Sequence, residues 1–130
     1  MSRSILFACG LLAASVFTAQ AQAATPQSLF NDNCSACHQT TGKGVKGAFP
    51  ALAGDPFVQG DATPVISTVL SGRAGMPSFK DDINDADLSA ILTYVRASWG
   101  NKGKPVAAAD VMAVRKKLAT SKKPASLQAH

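Results

Sequence analysis

Cysteine is scarce in this chain, with three in 130 residues, and Cys9 falls in an opening stretch that reads as an export signal. The remaining pair, Cys34 and Cys37, encloses only Ser35 and Ala36. A disulfide stabilises chiefly by closing a long loop, so a stapled fold is excluded and the two thiols are assigned to chemistry. Long apolar runs are missing too. The run from Ile5 to Phe17 has 13 residues before polar Thr18 and Gln20, short of the about 20 that cross a bilayer, so no stable membrane insertion is expected. Aromatic residues are few: past the signal there are only Phe30, Phe49, Phe57, Phe79, Tyr94 and Trp99. A domain of this size is marginal in the surface it can bury, and an apolar prosthetic group at its centre would make up the shortage. Strand signals, repeats and long linkers are absent, which leaves an all-α chain of short helices.

What is present begins with Arg3, the apolar stretch after it, and small-residue cleavage sites at Ala19-Gln20-Ala21 or Ala21-Gln22-Ala23, the pattern of a secretory signal peptide. A lipid-attachment reading of Leu6-Phe7-Ala8-Cys9 would leave too short an apolar region. The expected division is a signal peptide over residues 1–23, one domain over 24–101, a helical extension over 102–119 and a disordered basic tail over 120–130. The tail is expected to be disordered because it has nothing to bury.

Helix signals are clear in three places. Thr25-Pro26 reads as an N-cap followed by proline at the first helical position, where its missing N–H costs nothing; this helix would carry Leu29, Phe30 and Cys34. Thr63-Pro64 repeats the signal ahead of Val65, Ile66, Val69 and Leu70, with Gly72 as the stop, which predicts about two turns. Asn84 caps a longer helix whose stripe is Leu88, Ile91, Leu92, Val95 and Trp99, ended by Gly100. A final amphipathic helix is expected around Val111, Val114 and Leu118 beside Arg115, Lys116 and Lys117. Residues Thr40 to Gly47 read as a wrapping loop, and Phe49 to Gly54 as an extended crossing that Pro50 keeps from being helical.

The strongest signal is Cys34-Ser35-Ala36-Cys37-His38. Its two thiols are spaced to add across the vinyl groups of one haem, with an adjacent imidazole placed against the iron. Residues three apart on a helix share a face, so both sulfurs reach one macrocycle edge. A thioredoxin-like dithiol needs a βαβ pattern that is missing. Zinc needs four ligands, and only Cys34, Cys37, His38 and the distant His130 are on offer. The sixth iron position points to Met76, in Gly75-Met76-Pro77-Ser78-Phe79, where proline stiffens the loop; Met112 competes from a later helix. His38 and Met76 are thus the candidate metal ligands, and Cys34 and Cys37 the candidate attachment points.

With these residues in place the chain resembles a class I cytochrome c over roughly residues 25 to 100: an N-terminal helix ending in the haem motif, Pro50-x-Leu52, Met76-Pro77 and a terminal helix. The resemblance implies a cytochrome c fold around one covalent haem c, with Phe30 against the Leu92, Val95 and Trp99 side. It also implies that the Pro50 carbonyl accepts a hydrogen bond from the His38 ring. The stretch from Leu92 to Asn101 is similar to the haem domains in cytochrome subunits of periplasmic alcohol and sugar-acid dehydrogenases.

The implied function is a monomeric periplasmic electron carrier that turns over no substrate, taking electrons from a dehydrogenase and passing them to a cytochrome or an oxidase, with no nucleic-acid partner. Net charge is +5, one less without Arg3, and Lys43, Lys46 and Lys80 fall in loops suited to rim the haem edge. They suggest an acidic docking face on the partner. Two alternatives stand beside this reading: a haem enzyme or ligand sensor with a displaceable sixth ligand, and a fixed subunit of a larger complex docked through Val106 to Leu118.

Overall fold

The computed structural model describes residues 23–121. The signal peptide, the lipid-attachment reading of Cys9, His130 and the tail beyond Ser121 lie outside the described residues. Six helices follow in order: α1 (Pro26–Asn33), α2 (Ser35–His38), α3 (Pro56–Gln59), α4 (Ala62–Ser71), α5 (Asp85–Ala97) and α6 (Ala108–Ser121). Among the described residues there is no strand, only two isolated bridges, Val45 with Phe49 and Arg73 with Met76. The all-α expectation holds.

Local chemistry accounts for the helix starts. Thr25 caps α1 by accepting from the Ser28 N–H, with Pro26 behind it, and Asn84 caps α5 by accepting from the Asp87 N–H. The cap of α4 lies two residues before the expected Thr63. It is Asp61, which accepts from the Thr63 N–H, and Pro64 falls in the first turn, where backbone N–H groups have no helical partner to lose. The helix consequently runs 10 residues rather than two turns. α3 was not expected at all; Asp55 caps it and Pro56 opens it, the same device as at Thr25-Pro26. Cys34 closes α1 rather than lying within it, and serves as the joint to α2.

α1 packs on α5, α6 on both α4 and α5, and α3 on α4 and α5. The centre is aliphatic: Ile66, Leu70, Leu88 and Val111 are fully buried together with Phe30. Phe30 meets Trp99 at 5.2 Å and Tyr94 at 5.6 Å, and those two rings meet edge-on at 5.7 Å. Such pairs add about 0.5–1.5 kcal/mol each beyond their area. Trp99 does not reach this cluster as part of the α5 stripe. α5 ends at Ala97, and Trp99 stands in the following turn with a left-handed φ of 54°. That conformation costs a bulky residue about 1–2 kcal/mol, offset by the ring contacts and by the Nε1–H bond to the Thr40 carbonyl at 3.1 Å.

α6 turns its apolar side inward. Val106, Val111 and Val114 join the same core as Leu70 and Leu88, and Leu118 packs at its edge. Val106, Val111 and Val114 are therefore occupied within the chain, while Met112 stays exposed on the other side of α6. The helix also continues through Thr120 and Ser121, two residues assigned to the tail from sequence, where their hydroxyls bond the Lys117 carbonyl.

Candidate functional site

The joint between α1 and α2 places Cys34, Cys37 and His38 on adjoining turns. The Cys37 and His38 N–H groups both reach the Cys34 carbonyl, at 3.3 and 3.0 Å. Both thiols are free and half-buried. Burial, and secondarily the neighbouring Cys37, pushes the Cys34 thiol up to about 11. A redox dithiol needs the opposite, an attacking sulfur held largely as thiolate by a lowered pKa. A Cys34 sulfhydryl held neutral suits addition to an alkene better than exchange with a disulfide.

His38 is 8% exposed, and its Nδ1 lies 3.0 Å from the Pro50 carbonyl oxygen. A carbonyl only accepts, so Nδ1 carries the proton and Nε2 keeps its lone pair for a metal. This is the bond implied by the family resemblance, and such a partner fixes ring orientation and raises ligand basicity. The chain reaches Pro50 through a loop folded by backbone constraint. Gly44 has φ +62°, and a Cβ there would fall 2.4 Å from the Phe49 carbonyl oxygen and 2.5 Å from that of Pro50. Only glycine lets the backbone approach so closely. The Gly42 carbonyl accepts from both the Leu52 and Ala53 N–H groups, at 2.7 and 3.0 Å, which ties the Pro50 crossing back to the loop.

Met76 is half-buried and stands outside the core cluster, so core packing, the usual role of methionine, does not account for it. Its backbone exchanges hydrogen bonds with Arg73 at 2.9 and 3.1 Å. The loop is fastened to α4 by the Ser78 hydroxyl on the Leu70 carbonyl, 2.6 Å, and by the Phe79 N–H on the Val69 carbonyl, 3.1 Å. Met112 is 43% exposed on α6. The motif residues are brought together by α1 and α2. Met76 belongs to a separate loop, and no hydrogen bond joins it to them. Among the described residues no three of His, Cys, Asp or Glu gather as a metal cluster. The donor set, two free thiols beside an imidazole with its outer nitrogen free, fits haem.

Three polar side chains that frame this region carry no motif. Arg96 is 2% exposed and donates to the carbonyls of Val58, Gly60 and Lys104 at 2.6, 2.9 and 2.8 Å. Asn101, 5% exposed, donates to the Leu52 and Val95 carbonyls and accepts from the Gly54 N–H. Arg115 joins α6 to the segment after Met76. One signal was available for the first of them: Arg96 lies four residues after Leu92 and next to Val95, a charge inside an apolar stripe. Of the lysines singled out from sequence, all are exposed, and Lys80 pairs with Asp81 at 3.5 Å.

Comparison with known proteins agrees with this chemistry. The family described as cytochrome c oxidase, cbb3-type, subunit III matches residues 21–95. The chain is 33% identical over 96 residues to an alcohol dehydrogenase (quinone) cytochrome c subunit of Gluconobacter oxydans, covering 64% of this chain and 20% of the relative. It is 34% identical over 106 residues to a gluconate 2-dehydrogenase cytochrome c subunit of Pantoea cypripedii, covering 71% and 24%. It is 32% identical over 108 residues to cytochrome c-552 of Thermus thermophilus, covering 67% and 82%. The chain thus spans about a fifth to a quarter of the length of the two dehydrogenase subunits and most of the length of the small cytochrome. A family match that takes in the whole thiol and imidazole motif, on an all-helical frame, places the chain in the cytochrome c family, with haem c as its cofactor.

Proposed function

We propose that the chain is a periplasmic single-haem electron carrier in which Cys34 and Cys37 hold the porphyrin as thioethers and His38 and Met76 are the axial ligands. The observation that carries this is the His38 ring: its Nδ1–H is committed to Pro50 at 3.0 Å, beside two free thiols, leaving Nε2 as a donor. When bound, haem supplies a one-electron ferric–ferrous couple. The residues have the task of keeping one geometry through both states. Pro50 holds the imidazole, and the turn at Arg73–Met76 presents a soft thioether, which favours the reduced form and raises the potential. A filled sixth position leaves no place for a substrate, so the protein is a carrier and not an enzyme.

Export rests on Arg3, Ile5 to Phe17 and the small-residue cleavage site, and no described helix is long and apolar enough to cross a membrane. The names of the relatives, cytochrome c subunits of dehydrogenases and a cbb3-type oxidase subunit, support a dehydrogenase as donor and a cytochrome or oxidase as acceptor. Exposed Lys43 and Lys46, in the loop between His38 and Pro50, suit an acidic partner and a salt-sensitive encounter. The same names favour a second reading, a cytochrome held permanently in such a complex.

The test is spectroscopic. Protein matured in a host that attaches haem is expected to give a pyridine haemochrome of a doubly thioether-linked haem, a low-spin spectrum with a sulfur-to-iron charge-transfer band, and slow carbon monoxide binding when reduced. Met76→Ala is expected to lose the band and bind carbon monoxide rapidly. A colourless product would end the proposal; rapid carbon monoxide binding by the unaltered protein would favour a ligand-binding role. Size exclusion of a native extract separates a free monomeric carrier from a bound subunit.

A further inference from the structure

The segment between α4 and α5, which carries Met76, is fastened at its two ends by different means. Its first part hangs from α4 through Ser78 and Phe79. Its second part is anchored by the Ile83 side chain, 6% exposed in the core, but has weak hydrogen bonding of its own, since the Asp82 and Ile83 N–H groups share the Phe79 carbonyl at 3.3 and 3.2 Å. The firm hydrogen bonds there come from α6. Arg115 Nη1 donates to the Lys80 carbonyl, Nη2 to the Ile83 carbonyl at 2.9 Å, and Nε to Asp85 Oδ1 at 2.7 Å. One guanidinium therefore takes acceptors on both sides of Asn84, in the loop and in the first turn of α5.

The platform under that guanidinium is fixed, because Val111 and the adjacent Val114 are buried in the core at 0% and 8% exposure. The Arg115 and Asp85 side chains are 25% and 30% exposed, partly withdrawn from the solvent that weakens most surface pairs. A planar fork of five donors can hold three acceptors in fixed directions, which an ammonium cannot.

We propose that Arg115 is a positioning residue for the axial methionine: by clasping the Lys80 and Ile83 carbonyls together with Asp85, it ties the trailing end of the Met76 loop to α6 and resists displacement of the sulfur. The inference rests on Met76 being the sixth ligand. Arg115 touches neither haem nor any exchanging ligand; it acts through the loop.

The experiment titrates the oxidised holoprotein with imidazole and follows loss of the sulfur-to-iron band, beside thermal unfolding of each variant. Arg115→Gln is expected to keep the band without imidazole but to bind imidazole about tenfold more tightly, a factor equivalent to about 1.4 kcal/mol. Arg115→Lys is expected to recover only part of that difference. Asp85→Asn, a milder change that serves if Arg115→Gln does not mature, is expected to shift affinity in the same direction. Lys116→Gln, on the exposed side of the same helix, is expected to match the unaltered protein. Imidazole affinity within about twofold of the unaltered protein for both Arg115→Gln and Asp85→Asn, well under the factor that 1.4 kcal/mol gives, overturns the proposal even if both melt earlier. Met76→Ala separates the two readings: loss of the band there with unchanged Arg115 variants defeats only the role of Arg115, whereas a band that survives Met76→Ala defeats the ligand assignment and this inference with it.

Discussion

The loop behind His38 is fastened by side chains far away in sequence, while the loop around Met76 leans mainly on the helix it has just left. On the His38 side, Trp99 bonds the Thr40 carbonyl across 59 positions, and Asn101 bonds Leu52 and Gly54 across 49 and 47. On the Met76 side, the Ser78 hydroxyl reaches back eight residues to Leu70, and Arg115 is the one long-range clasp described above. Undoing the first set means parting that loop from the turn after α5, where Trp99 is also packed against Phe30 of α1. Undoing the second requires only that one loop lift away. Stability is not uniform across a protein, and regions held by few long-range contacts open at low free-energy cost. The comparison teaches that, in the proposed ligation, the imidazole and the thioether would belong to two regions fastened in different ways.

Gly42→Val is the most severe way to test that contrast. A Cβ at Gly42 would fall 2.4 Å from the Trp99 ring on a backbone with φ +65°, so overpacking and left-handed strain together should cost about 3 kcal/mol. Denaturant unfolding of the holoprotein would measure it, and a midpoint near that of the unaltered chain would show that the His38 loop is not part of the global core. Asn101→Ala should follow at about 2 kcal/mol, because it leaves the Leu52 and Val95 carbonyls and the Gly54 N–H without their partner. Its signature is a lower thermal midpoint with the sulfur-to-iron band intact. Ser78→Ala should be the mildest, about 1 kcal/mol for one hydrogen bond. Hydrogen exchange of the Phe79 amide should accelerate, with a fall in the global midpoint no larger than about 1 kcal/mol gives. A large drop in the midpoint would mean that the two loops unfold as one.

Much of this was legible from short-range chemistry. The thiol and imidazole motif declares itself by spacing, and Thr25-Pro26 and Asn84 mark their helices because a cap is a bond between neighbours. The start of α4 was misplaced because two residues of similar capping chemistry, Asp61 and Thr63, compete within one turn. α3 escaped notice because a single helical turn has too few residues to show a period. Trp99 fits the apolar spacing of α5 by coincidence of register; what places it is the turn after Ala97, a tertiary preference over local propensity. The charge of Arg96 inside the apolar stripe marks that residue, but the partners of the buried arginine and asparagine were out of reach, since carbonyls have no side-chain identity to read and the Val58 and Leu52 carbonyls lie dozens of residues away.

Trp99 is the sole tryptophan of the chain, and it is seated between Phe30 of α1 and Tyr94 of α5. Its emission therefore has one source, located where the first and fifth helices meet. Any event that pulls those helices apart changes the polarity around a single indole, and any event confined to the Met76 loop leaves it untouched. The molecule thereby contains an optical gauge of its own closure, readable without a label.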